Sequence, residues 1–210
     1  MNRDSDVKVI GLTGPTGSGK TTVSEVFAGS GYYIINADKV SRDVIDNTSS
    51  CIKELAEEFT DAILNKDGTL NRKKLGEMVF NDKAKLIHLG SIVYPYITAR
   101  ILKTINTLEK EGVRMVLLDA PTLFESNADD FCSLVVCVNA DVKKRLNYII
   151  KRDNLTEEEA LSRIKSQPEF SYYAKRSDFI LQNDSDIATL ESMASEVAKK
   201  IWEYYNAEST

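Results

Sequence analysis

Cysteine and histidine are scarce in this chain. Three cysteines and one histidine occur in 210 residues. Cys51, Cys132 and Cys137 are scattered without a CxxC spacing, two of them in apolar surroundings, and His88 is the sole imidazole. Neither a zinc site nor a Cys/His catalytic pair is expected from such a set. No apolar run reaches the length of a membrane span, and the polar, acidic start MNRDSD is unlike a secretory signal, so a cytoplasmic protein without a membrane partner is expected. A surplus of one charge sign is also missing. The 27 basic and 32 acidic residues are intermixed, with a net charge of -5, and exert no long-range pull on nucleic acid. Repeats, low-complexity tracts and dividing linkers are absent, which points to one domain over residues 1–210, long enough to bury a sizeable core.

Glycine is spent where it matters. GPTGSGKT at residues 14–21 follows the apolar run 7–12 and fits GxxxxGK[ST] without mismatch: Gly14, four residues, Gly19, Lys20 and Thr21, with an extra Gly17 that lets the backbone curl. Successive N–H groups of such a loop converge on one point, and the following helix adds the positive end of its dipole. A nucleoside triphosphate, ATP or GTP, is the expected ligand. Lys20 would reach the β- and γ-phosphates and Thr21 would ligate Mg²⁺, with Gly14, Gly17, Ser18, Gly19 and Thr22 completing the nucleotide contacts.

Apolar runs at 7–12, 32–35, 115–118, 134–138 and 179–181 read as buried strands of a mostly parallel sheet, the first two joined by the loop and a helix carrying Val23, Val26 and Phe27. The fold class is α/β, a three-layer nucleotide-binding architecture. Residues 39–112 change character: stripes Ile52/Leu55/Ala56/Phe59, Leu75/Met78/Val79 and Leu86/Leu89/Ile92/Val93 follow one another at helical spacing. Asn71 is placed to cap one of these helices, and Pro95 to start a long one ending at Gly112. This block is expected to be a helical insertion, either at the substrate site or as packing mass. The second strand delivers Asn36, Ala37 and Asp38 to its carboxyl end, the ligand side of an open α/β sheet. The strand 115–118 ends in Asp119, which either holds Mg²⁺ or serves the turn. Further helices are expected over 141–152, from a Thr156/Glu159 capping box to about 166, and over 187–205, with Trp202 and its neighbouring tyrosines as core or helix-face residues.

The ordered set IGLTGPTGSGKTTV, NADKVSR (36–42), DGTLNR, Tyr94-Pro95, LLDAPTLFE (117–125), KRDNLTEEEALSRIKSQ (151–167) and SDFILQN (177–183) resembles the dephospho-CoA kinase family over nearly the whole chain. The resemblance implies a P-loop kinase with a helical lid over 145–178, acting with ATP and Mg²⁺ on the ribose 3′-hydroxyl of dephospho-CoA, as a monomer or small homo-oligomer. It implies that Asp38 is the catalytic aspartate, the alternative being a helix cap. Arg42 one turn on either holds an acceptor phosphate or pairs with Asp38. Pro121, Phe124 and Glu125 match the loop bordering acceptor and metal, Arg152 matches a lid arginine whose alternative is an ion pair with Asp153, and Asn183 matches a position near the adenine.

Several positions depart from that pattern. Asn36 stands where the family has an acid, Tyr94 where it has histidine, and Pro15-Thr16 where it has Gly-Ile. Tyr148, Phe170 and Tyr173 occupy lid positions where the family has arginines, and neither aromatic type reproduces a bidentate phosphate clamp. Two further readings follow: a kinase of the same fold with another nucleoside-like acceptor, or a nucleotide-binding regulatory protein without turnover.

Overall fold

Five short apolar runs pair into one sheet, because a strand buried on both faces satisfies its backbone only against neighbouring strands. A computed structural model describes residues 7–79 and 82–207. In chain order the elements are β1 (Lys8–Thr13), α1 (Lys20–Gly29), β2 (Tyr33–Asn36), α2 (Ala37–Asn47), α3 (Ser49–Phe59), α4 (Arg72–Val79), α5 (Lys83–Lys110), β3 (Met115–Asp119), β4 (Leu134–Asn139), α6 (Val142–Asp153), α7 (Glu157–Lys165), α8 (Phe170–Ala174), β5 (Phe179–Gln182) and α9 (Ile187–Ala207). The sheet runs β2-β3-β1-β4-β5. Parallel ladders pair Lys8 with Met115 through Leu12 with Asp119, Ile10 with Leu134 through Thr13 with Cys137, and Val136 with Phe179 through Asn139 with Gln182. It is a parallel sheet with helices on both sides. β1 is central, so the residues that follow it emerge between the ends of β3 and β4, where parallel α/β sheets bind ligands.

The chain forms two compact units, one up to Ile35 and from Leu108 onward, the other Asn36–Thr107. The first has a core of Ile10, Leu12, Val23, Phe27, Leu117, Val136 and Val138 with Leu190, Ala194, Ala198 and Ile201, which line one face of α9 at helical spacing. Tyr32 is buried there: its hydroxyl donates to the Ala198 carbonyl at 2.8 Å, and its ring meets Phe27 and Trp202 edge-on, with centroids 4.8 and 5.7 Å away. The second unit has its own core of Val44, Cys51, Leu55, Phe59, Ile63, Leu70, Leu75, Val79, Ile92 and Val93.

Two sequence expectations are corrected. Pro95 does not start a helix but lies inside α5, which begins at Lys83. Its missing N–H costs one rung to the Ser91 carbonyl, and burial of Ile92 and Val93 on one side and Ile101 and Ile105 on the other carries the helix through. Leu86 is not part of the buried stripe but 38% exposed, one turn inside the helix start. The short α8 was not foreseen, because its sequence FSYYA has no apolar period to mark it. Asn71 does accept from the Lys74 N–H at 3.0 Å, and Thr156 and Glu159 form a reciprocal capping box.

Candidate active site

The glycine-rich turn between β1 and α1 has the conformation its composition demands. Gly14, Gly17 and Gly19 have φ of 137°, 77° and 106°, where L side chains are strained. Space is equally restrictive. A Cβ on Gly14 would lie 2.1 Å from the Val138 carbonyl oxygen, and one on Gly19 would lie 2.6 Å from Asn183 Nδ2. Lys20 Nζ donates to the Gly14 carbonyl at 2.9 Å, so its ammonium folds back over the turn. No side chain caps α1 and no acid stands in its first turn, so the first N–H groups of the helix are open to a ligand. Thr21 is exposed and Thr22 half-buried. Ser18 is buried, with its N–H on the Pro15 carbonyl at 3.2 Å and its Oγ without a partner. A turn with three positive-φ glycines at a helix end without a side-chain cap fits a polyphosphate.

Three groups brace the turn. Asn183, after β5, donates from Nδ2 to the Ser18 carbonyl at 2.8 Å, while its Oδ1 accepts from Lys144 Nζ at 2.8 Å. Arg145 of α6 donates from Nε to the Thr16 carbonyl at 2.9 Å, and the Thr16 N–H donates to Gln167 Oε1 at 2.8 Å. Asn183 therefore touches the loop directly. Sequence reasoning missed Arg145 and the part Gln167 plays. The one available signal was position: Arg145 sits a turn before Ile149, on the single face of α6 that is buried.

Asp119 ends β3 directly across from Leu12, two residues before the loop, and is 8% exposed. The segment after it is tied to β1: the Ala120 N–H donates to the Leu12 carbonyl at 3.0 Å, and Thr13 Oγ1 to the Pro121 carbonyl at 3.4 Å. Phe124 is buried beneath the Arg176 guanidinium, 4.1 Å from its ring centre, and meets Tyr172 edge-on. Arg176 also pairs with Asp129 at 2.8 Å. Desolvation raises the Glu125 pKa, opposed by the Arg176 charge, although Glu125 as a residue is exposed. The Thr21 hydroxyl and the Asp119 carboxylate are hard oxygen donors of the kind Mg²⁺ takes. Among the described residues no group of three or more His, Cys, Asp and Glu could hold a metal, so phosphate oxygens and waters would complete such a sphere.

Arg152 is engaged in the ion pair anticipated as its alternative. Both arms of its guanidinium lie on Asp153 at 2.7 Å, Arg163 reaches the same carboxylate, and Tyr148 lies under the Arg152 charge at 5.7 Å. Charge-assisted hydrogen bonds from Arg152 and Arg163 hold the Asp153 pKa down at about 2.

In the second unit the cap of α2 is Asn36, whose side chain accepts from the Lys39 N–H at 2.9 Å. That corrects the helix-cap alternative for Asp38. The Asp38 carboxylate stands exposed in the first turn of α2, with no ion pair to Arg42 among the described residues. Arg42 is exposed, and its carbonyl accepts from Arg72 Nη2 at 3.0 Å.

Comparison with known proteins points one way. The family model described as dephospho-CoA kinase matches residues 8–189. The chain is 37% identical over 185 residues to the dephospho-CoA kinase of Fusobacterium nucleatum, covering 88% of this chain and 93% of that protein. It is 36% identical over 180 residues to that of Listeria monocytogenes serovar 1/2a, covering 86% and 90%. Among solved structures, TT1252 from Thermus thermophilus superposes with a TM-score of 0.77 at 27% identity over 92% of this chain and 97% of that one. The dephospho-CoA kinase of Campylobacter jejuni gives 0.62 at 26% identity over 93% and 98%.

Proposed function

This chain belongs to the dephospho-CoA kinase family, and on that premise we propose that it phosphorylates the ribose 3′-hydroxyl of dephospho-CoA with ATP, giving CoA and ADP. The observation that carries the nucleotide half of the reading is the positive-φ glycine turn at the uncapped start of α1. Its main-chain N–H groups would hold the β- and γ-phosphates, and Lys20, now on the Gly14 carbonyl, would turn onto the γ-group. Asn183 would sit near the adenine while bracing the turn. Thr21 and Asp119 would hold Mg²⁺, which when bound neutralises charge on the phosphate oxygens.

The acceptor half rests on the family pattern. Asp38 would take the proton as the ribose oxygen bonds to the γ-phosphorus and the bridging oxygen leaves on ADP. Arg42 would hold an acceptor phosphate, and Pro121, Phe124 and Glu125 would border the acceptor. Arg152 would exchange Asp153 for the transferred phosphoryl, excluding water as it does so. In this reading the protein works in the cytoplasm as a monomer or small homo-oligomer.

The direct test is incubation of the purified protein with ATP, Mg²⁺ and dephospho-CoA, followed by chromatography. CoA is the expected product. A folded, ATP-binding sample that makes no CoA would overturn the assignment, and transfer to a different nucleoside-like alcohol would redirect it.

A further inference from the structure

Arg145 is an unusual residue for its position. It lies on the buried face of α6, 7% exposed, and burial lowers its pKa without removing the charge, since a guanidinium stays protonated. Its partners are neutral. Nε donates to the Thr16 carbonyl at 2.9 Å and Nη2 to Gln167 Oε1 at 3.4 Å, while Gln167 Oε1 also accepts the Thr16 N–H at 2.8 Å. Both polar atoms of the Thr16 backbone are thus held by one two-residue clamp, and Thr16 is the residue just before Gly17 in the phosphate turn. Among the described residues Arg145 makes no ion pair, and Nη1 makes no hydrogen bond. A buried cation against a turn shaped for polyphosphate has no counter-anion among the described residues.

We infer that Arg145 is the positioning residue of the phosphate turn and that the triphosphate, not a carboxylate of the protein, balances its charge. The inference deepens the nucleotide reading above and rests on it. It gives the fold an explanation for neutral Gln167: an acid there would satisfy the arginine permanently and place a negative charge beside the phosphate site. It also gives α6 a phosphate-directed cation at a position other than those of Tyr148, Phe170 and Tyr173.

Three variants compared with the parent separate this from packing. Calorimetric titration with ATP and with adenosine is run on the parent, Arg145→Gln, Arg145→Lys and Gln167→Glu, alongside melting of each protein without nucleotide. Arg145→Gln is expected to weaken ATP binding about tenfold or more while adenosine binding changes by less than about twofold, the loss of a charge-assisted contact. Arg145→Lys is expected to recover most of that loss. Gln167→Glu is expected to melt higher than the parent without nucleotide and yet bind ATP more weakly, a combination that a purely structural brace does not produce. Parental ATP affinity in Arg145→Gln or in Gln167→Glu would overturn the inference, as would equal losses for ATP and adenosine or equal losses in the Gln and Lys variants. Should Arg145→Gln fail to fold, Gln167→Glu decides alone. A protein that obeyed these dependences but made no CoA would sink the kinase assignment and leave this inference standing.

Discussion

The division of labour between Asn36 and Asp38 decides what a single carboxylate can do. An aspartate that caps a helix has its oxygens spent on backbone N–H groups, and its removal costs stability along with whatever else it did. Here the amide of Asn36 performs the capping, so the Asp38 carboxylate in the first turn of α2 is not spent on backbone N–H groups. Asn36 thereby has a local use at the start of α2. Asp38→Asn is expected to lower kcat by about a hundredfold or more, the scale of general-base removal, while the melting temperature and ATP affinity stay at the parental values. Steady-state kinetics with dephospho-CoA beside thermal melting checks it, and an unchanged kcat would remove Asp38 from the chemistry. At this scale the phosphate turn was legible because only glycine tolerates its backbone. Arg145 was not, because a basic residue in an amphipathic helix ordinarily lies in water and only the contact with Thr16 distinguishes it.

Between elements, the junction of α6 and α7 is held by charge. Asp153 takes Arg152 from its own helix and Arg163 from α7, and its pKa of about 2 lies below the ordinary aspartate value of 3.8. A carboxyl whose folded pKa is lowered adds stability above its unfolded pKa and loses it as the pH falls through the folded one. The contribution of this junction is therefore complete above about pH 4 and vanishes toward about pH 2. Asp153→Ala is expected to lower the melting temperature at neutral pH and to flatten the acid limb of the stability profile in that window; a variant with the parental acid limb would show that another group sets it. Elements with a clear apolar period, such as α3 and α9, were readable, as was the capping box of α7. Pro95 misled because a proline that opens a helix and one tolerated inside it look alike in sequence, and the difference lies in the apolar burial on both sides. The brevity of α8 left no period to read.

For the whole molecule, the presence of two separate cores among the described residues matters more than the number of helices. The strands were recognisable one by one as apolar runs, but their lateral order was not, since β1 pairs with β3 and β4 and never with its neighbour in sequence among the described ladders. The helical block was expected over 39–112 and forms a compact unit over Asn36–Thr107, with Leu55, Phe59, Ile63 and Leu75 in a core of its own. The other unit contains Trp202, the single tryptophan of the chain, edge-on to Tyr32. Intrinsic tryptophan emission is therefore blind to the helical unit, whereas far-ultraviolet ellipticity sees both. In a urea titration, ellipticity lost before any change in emission marks the melting of residues 36–107 alone, and superimposable curves mark a single cooperative transition. One half-buried indole thus makes this chain its own reporter of which half opens first.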